Sequence, residues 1–223
     1  MKAIIFDLDG TLFAKPHIAR HLVVSNLFHL SMLKAERSCR SELKGRYWGE
    51  GADANSHLFD LMAERLHCTS EKVAQWYWDK YMPSMIKVIR RHYRKASWVP
   101  SLMQECRRRQ VKMAVLSDYP CVREKLSAIG LDASSFDMVA DAPSSGGFKP
   151  CAEVFLSMAR RMEVAPADIL VVGDRDDTDG EGARRAGMMF RLVDNSGEYD
   201  VENDILPYVL PEVVVFDLFD LMV

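Results

Sequence analysis

The chain opens on a continuous apolar run, Ile4-Ile5-Phe6, that closes on Asp7-Leu8-Asp9-Gly10-Thr11-Leu12. An unbroken apolar run, without polar alternation, is the pattern of a parallel strand buried on both faces. This one ends in two carboxylates, a glycine and a threonine, so it delivers a polar loop instead of an ordinary turn. From residue 14 to 96 the apolar period lengthens to three and four residues, a stretch far longer than the usual connection between neighbouring elements. Pro16 opens a helix carrying Ile18, Leu22, Val23, Leu27, Leu30 and Leu33 on one side. The stretch from Lys44 to Gly51 breaks the pattern with Gly45, Gly49 and Gly51 around Arg46, Tyr47 and Trp48, and reads as a loop. A helix through Leu58, Leu61, Met62 and Leu66 follows. Thr69 or Ser70 then caps another, with Val73, Trp76, Tyr77, Tyr81, Met85, Val88 and Ile89 on its apolar side. Trp76 and Trp78 cannot share that face, which sends the first to the bundle interior and the second to a rim. The segment reads as a small helical bundle inserted after the first strand.

The strand and helix alternation then resumes. Residues 97 to 110 read as a helix, and Val111 to Leu116 as a second strand that ends at Ser117-Asp118-Tyr119-Pro120. Val122, Leu126 and Ile129 mark a helix stopped by Gly130, and Asp137 to Ala140 a third strand. The loop Ser144-Ser145-Gly146-Gly147-Phe148-Lys149-Pro150 precedes a helix through Phe155, Met158 and Met162. Pro150 suits its first turn, which would put Lys149 at a helix start. Ile169 to Gly173 is a further apolar strand ending in acids, Asp174, Asp176, Asp177 and Asp179. A short helix from Ala183 to Ala186 closes on Gly187, and Met189 to Val193 is a strand. Beyond it, 194 to 211 reads as loop, Val213 to Phe216 as a last strand, and the end as a short helix.

Apolar strands alternating with helices imply an α/β fold, a Rossmann-like parallel sheet covered on both faces. The bounds expected are a core from 1–13 and 97–223, interrupted by a helical unit from 14–96. Ligands of such sheets bind beyond the carboxyl ends of the strands. Asp7 and Asp9, Ser117 and Asp118, Asp174 and Asp179 all follow strands directly, so they emerge on one rim, with Lys149 reaching in from its loop.

Composition narrows the function classes. The 223 residues suffice for one sizeable α/β domain with an insertion, and 48% hydrophobic and 27% charged residues are ordinary for a globular protein. A formal net charge of −3 gives no reason to expect nucleic acid as a partner. The five cysteines, Cys39, Cys68, Cys106, Cys121 and Cys151, are scattered and never form a CxxC pair, so neither a disulfide framework nor a zinc site is indicated. No run approaches the roughly 18 apolar residues of a membrane span, and the N-terminus starts on a strand instead of a signal segment. A cytoplasmic protein with reduced thiols and no membrane partner is expected; oligomeric state is not legible.

A carboxylate nucleophile, a second carboxylate to move protons and a hard cation beside them are what phosphate-ester cleavage requires, and Asp7 and Asp9 are spaced to serve it. Asp7-Leu8-Asp9-Gly10-Thr11 resembles the DxDGT signature of the haloacid dehalogenase-like (HAD) hydrolase superfamily. Ser117, Lys149 and the acids after Gly173 match its other motifs in order. The resemblance implies that Asp7 attacks phosphorus and becomes an aspartyl-phosphate, and that Asp9 protonates the leaving alcohol and then deprotonates water. It further implies that Mg²⁺ is held by the side chains of Asp7 and Asp174 and the backbone carbonyl of Asp9, with Asp179 orienting waters around the ion. Thr11, Ser117, the Asp118 amide and Lys149 would bind the phosphoryl group, Lys149 also neutralising the nucleophile. Asp177 is the alternative to Asp179, which is favoured. In this superfamily an insertion after the first strand is a C1-type cap that selects substrates, and the loop with Arg46, Tyr47 and Trp48 is the candidate contact within it.

The expected activity is therefore a Mg²⁺-dependent phosphatase acting on a small phosphorylated metabolite of the phosphoglycolate, sugar phosphate or nucleotide class. A phosphomutase is the nearest alternative. A non-catalytic Mg²⁺-binding or phospho-acceptor module is the alternative from another class, opposed by the inserted helices and by Asp9. Haloacid dehalogenation is disfavoured, since that chemistry has no leaving alcohol to protonate. His17 and His21, one helical turn apart, read as an exposed or half-buried pair on the first inserted helix, and the basic runs 90–95 and 107–109 as solvated helix faces.

Overall fold

The computed structural model describes residues 1–193 together with Ile205 and Tyr208. Its centre is formed by β1 (Ala3–Phe6), β2 (Lys112–Ser117), β3 (Met138–Asp141), β4 (Ile169–Gly173) and β5 (Met189–Leu192). They make one five-stranded parallel sheet in the order β3-β2-β1-β4-β5. Phe6 stands level with Val115 on one side and Val172 on the other. The residues that follow these strands therefore leave the sheet at one edge.

Alternate residues of the central strands serve opposite faces, as the strand period requires. Ile4 and Phe6, with Met113, Val115, Leu170 and Val172, join a single apolar cluster that continues into the helical insertion through Leu58, Met62, Tyr77 and Met85. Ala3 and Ile5, with Ala114, Leu116, Ile169 and Val171, pack on the other face against Phe155, Met158 and Ala183.

The insertion comprises α1 (Ile18–Ser25), α2 (Leu30–Glu42), α3 (Ala54–Leu66), α4 (Ser70–Trp76) and α5 (Met82–His92), the last two joined by a π-helical turn at Tyr77–Tyr81. Asp53 caps α3 by accepting from the Asn55 amide at 2.9 Å, and Thr69 caps α4 by accepting from the Lys72 amide at 3.3 Å. Trp76 is buried and Trp78 is exposed. The single helix expected from Pro16 is instead two, because the chain breaks at Asn26, whose side-chain amide donates to the Leu22 carbonyl and the Ser84 hydroxyl, both at 2.9 Å. The break turns Val23, Leu27 and Leu30 to solvent with Phe28. His17 lies before α1 in a left-handed conformation, and His21 stacks on His92, so the two do not form a pair on one helix.

The core helices are α6 (Val99–Arg108), α7 (Val122–Ala128), α8 (Ala152–Met162) and α9 (Glu181–Arg185). The expected helix start at Pro150 is corrected: α8 begins at Ala152, and Lys149 and Pro150 belong to the preceding loop, joined by a cis peptide. The strand expected at 213–216, the helix after it and most of the loop before it lie outside the described residues. Among the described residues no helix is long and apolar enough to cross a membrane.

Gly182 shows how closely α8 and α9 approach. A Cβ at this position would meet the Phe155 ring at 2.2 Å. Gly182→Ala is therefore expected to destabilise the fold by about 1–3 kcal/mol through overpacking; urea denaturation with an unchanged midpoint would refute this.

Candidate active site

The turn after β1 brings its polar groups inward. The Leu8 carbonyl accepts from the amides of Thr11 and Leu12, which bends the chain back within one turn of the strand end. Gly10 sits at φ +107°, and a Cβ there would lie 2.1 Å from Asp174 Oδ2. Only glycine lets the β1 loop approach the β4 loop this closely.

Asp7 is buried and fully engaged. Lys149 Nζ donates to its Oδ1 at 2.9 Å and the Thr11 hydroxyl to its Oδ2 at 3.0 Å. Lys149 Nζ also donates to Asp179 Oδ1 at 2.8 Å, with both side chains almost wholly buried. Burial pushes the Asp7 carboxyl up, but the charges of Lys149 and Lys15 and the two hydrogen bonds outweigh it and hold it below the usual range. Burial likewise opposes the Lys149 charge, yet Asp179, Asp7 and Asp118 keep that ammonium well above the ordinary lysine value. Asp179 goes the other way: burial, then repulsion from Asp7 and Asp118, exceed the pull of Lys149 and raise it to about 7.

Asp174, at the end of β4, pairs with Lys15 at 2.8 Å, and Lys15 also donates to the Asp9 backbone carbonyl. One oxygen each of Asp7, Asp174 and Asp179 lies within 4.8 Å of the others, a group that can hold a metal ion. The donor chemistry fits a hard divalent cation, because all three groups offer carboxylate oxygen. Burial raises the Asp174 carboxyl, and repulsion from Asp7 adds to it.

The β2 end supplies a second group. The Ser117 hydroxyl donates to Asp9 Oδ2 at 2.9 Å and accepts from the Tyr119 amide. Lys125 on α7 reaches both, donating to Asp9 Oδ2 and, at 2.7 Å, to the Ser117 hydroxyl oxygen. Asp118 is partly buried, and burial raises its carboxyl. Its carbonyl accepts from Arg40 on α2, which also bonds Glu36 and the Tyr77 hydroxyl and lies over the rings of Tyr119 and Phe148.

The structure thus gathers Asp7, Asp9, Thr11, Ser117, Lys149, Asp174 and Asp179. It separates Asp177, which is exposed and paired with Arg175 and Lys44, and Asp176, which pairs with Arg184. Tyr47 and Trp48 go to packing: Tyr47 bridges to Gly147, and Trp48 stacks on His57 and edges onto Phe148. The backbone of that loop pairs with the loop bearing Lys149, through Gly45 N to the Lys149 carbonyl, Phe148 N to the Arg46 carbonyl and Trp48 N to the Gly146 carbonyl. The sequence reading does not single out Lys15, Arg40 or Lys125. Lys125 had a signal, since it stands on the apolar stripe of Val122, Leu126 and Ile129, where a charge demands a buried partner.

The model of the family described as haloacid dehalogenase-like hydrolase matches residues 1–187. A protein of Methanopyrus kandleri named glyceraldehyde 3-phosphate phosphatase is 27% identical over 218 residues, covering 91% of this chain and 88% of that protein. Among solved structures, a β-phosphoglucomutase of Clostridium difficile superposes with a TM-score of 0.66 at 18% identity, covering 93% of this chain and 97% of that one. A 2-haloacid dehalogenase of Pseudomonas syringae superposes with a TM-score of 0.63 at 20% identity, over 94% and 97% of the two chains. At these identities the two structures speak for the fold alone.

The raised Asp179 carboxyl carries a stability consequence. Folded protein keeps a proton up to about pH 7 that the unfolded chain releases near 3.8, so between those values a rise in pH favours unfolding. In metal-free protein, Asp179→Asn is expected to flatten the loss of melting temperature from about pH 5 to about pH 8. Calorimetry in EDTA measures this, and an equally steep loss in the variant would contradict it.

Proposed function

Because the chain belongs to the haloacid dehalogenase-like hydrolases, we propose that it is a Mg²⁺-dependent phosphatase that cleaves a small phosphorylated metabolite through an aspartyl-phosphate on Asp7. The observation that carries this reading is the environment of Asp7: a carboxylate kept ionised against burial, bonded by Lys149 and Thr11, and grouped with Asp174 and Asp179. The name of the archaeal relative supports a phosphate monoester as substrate, within the phosphoglycolate, sugar phosphate or nucleotide class. The helical segment 14–96 serves in this reading as the cap that selects among them, with residues 1–13 and 97–193 in the catalytic core; the rest of the expected core, to 223, lies largely outside the described residues. Five free cysteines suit a cytoplasmic enzyme.

The chemistry follows from the side chains. An oxygen of Asp7 attacks phosphorus as the bond to the leaving oxygen breaks, and Asp9 passes its proton to that oxygen, releasing the alcohol. Asp9, now a carboxylate, takes a proton from water, whose oxygen attacks the same phosphorus. The bond to Asp7 breaks, leaving inorganic phosphate and the original carboxylate. Lys149 balances the charge of Asp7 and of the phosphoryl oxygens throughout, and Thr11 keeps the carboxylate oriented. At the β2 end the Asp118 amide holds a phosphoryl oxygen; the Ser117 hydroxyl, whose proton goes to Asp9 Oδ2, reaches one only by giving up that bond. Mg²⁺ on Asp7, Asp174 and the Asp9 carbonyl would supply positive charge for the phosphoryl group, with Asp179 orienting its waters.

Two measurements test the reading. Hydrolysis of 4-nitrophenyl phosphate is expected to require Mg²⁺ and to release inorganic phosphate over many turnovers. Asp7→Asn should lower it by about 10⁴-fold or more while preserving the circular dichroism spectrum. Near-normal turnover in Asp7→Asn sinks the nucleophile, a single phosphorylation without cycling favours a phospho-acceptor module, and transfer to a second sugar hydroxyl favours a mutase. Lys15 supplies the other test, since its ammonium contacts two of the oxygens assigned to the ion. Lys15→Met should tighten Mg²⁺ binding about tenfold or more in calorimetric titration, the scale of one like charge removed at a few ångströms. Unchanged or weaker binding would mean that Lys15 does not compete for the site.

A further inference from the structure

Lys125 has no part in the chemistry above, yet its side chain is completely buried and its ammonium lies against two members of the site. A buried charge is retained only where its partners repay the loss of water. Here the partners are Asp9 Oδ2 and the Ser117 hydroxyl oxygen, with the Tyr119 ring 5.7 Å from the nitrogen. Ser117 donates to the same Asp9 oxygen at 2.9 Å. Oδ2 thus receives two donors, while Asp9 Oδ1 is buried without a hydrogen-bond partner.

This asymmetry separates the two oxygens chemically. An oxygen that accepts from both a hydroxyl and an ammonium is poorly placed to carry a proton of its own. Oδ1 has no such donors. We propose that Lys125 is a positioning residue for Asp9: with Ser117 it pins Oδ2 and so fixes the orientation in which the carboxyl meets the leaving oxygen and later the attacking water. The ammonium also faces the negative charge left on Asp9 once the proton has gone to the alcohol. The inference rests on the acid and base role of Asp9 in the proposed function and goes beyond it by naming the residue that orients its carboxyl.

The test exploits how much a leaving group needs its proton. A series of aryl phosphates from 4-nitrophenyl to 4-methoxyphenyl runs from a leaving group that departs readily as the anion to one that depends more on proton transfer. Loss of general acid catalysis should therefore grow along the series. In Lys125→Met, kcat/KM is expected to fall at least about tenfold further on the 4-methoxyphenyl ester than on the 4-nitrophenyl ester. In an Asp9→Asn background, Lys125→Met should add no further dependence on leaving group, because both changes remove one function. A merely structural lysine would cost all esters equally, and that result overturns the proposal. Asp9→Asn keeps the two failures apart. If it steepens the series and Lys125→Met does not, only the role of Lys125 falls; if Asp9→Asn itself leaves the series flat, the acid role of Asp9 falls first. Should Lys125→Met not fold, Lys125→Gln, which keeps a donor but no charge, takes its place: a steeper series supports the positioning role, and an equal loss on all esters overturns it.

Discussion

The buried ammonium of Lys149, bonded at once to Asp7 and Asp179, is the interaction on which the rest of the site depends. An ammonium and two carboxyl groups in a dry interior are tolerable only together, since each alone would lose its solvation without recompense. The arrangement demands that loops after three different strands converge within hydrogen-bond reach. Parallel strands in register, with Phe6 level with Val115 and Val172, bring two of them to one edge. The third, bearing Lys149, is braced by the backbone of the loop 45–48.

That brace makes the helical insertion part of the active-site scaffold. Gly146 has no room for a Cβ, which would lie 2.0 Å from the Gly49 carbonyl oxygen. Arg40 adds a second tie, from α2 to the carbonyl of Asp118 and the rings of Tyr119 and Phe148. Burial alone would lower the Arg40 charge, but Tyr77 and Glu36 hold it well above its usual value, so it is a permanent cation at the seam. An apolar cluster running from the sheet through Tyr77 and Met85 completes the join. Movement of the insertion away from the sheet would have to break these contacts.

Besides Lys149, the site contains two more ammonium groups, on Lys15 and Lys125. Each faces one side of the same acidic loop. Lys15 takes the backbone carbonyl of Asp9, Lys125 its carboxylate. The loop is therefore held by cations from both directions, while Asp7 at its start belongs to Lys149.

Much of this was legible in the chain. The apolar runs 4–6, 111–116 and 169–173, each followed by polar groups, define buried parallel strands whose ends must meet, because strand direction and right-handed crossovers leave few other arrangements. DxDGT and the acids after Gly173 indicated chemistry at that edge, since carboxylates have little other reason to follow buried strands. What lay beyond reach depended on distance in space, not on order along the chain. The break at Asn26 comes from a hydrogen bond to Ser84, 58 residues away. That Asp179 lies buried against Lys149 while Asp177 stands exposed beside Arg175 and Lys44 is not carried by their spacing after Gly173. Arg40 and Lys125 looked like ordinary charges because local periodicity carries no information about partners such as Tyr77, 37 residues from the first, or Asp9, 116 residues from the second. Only the packed fold could set a guanidinium or an ammonium against the group that keeps it buried.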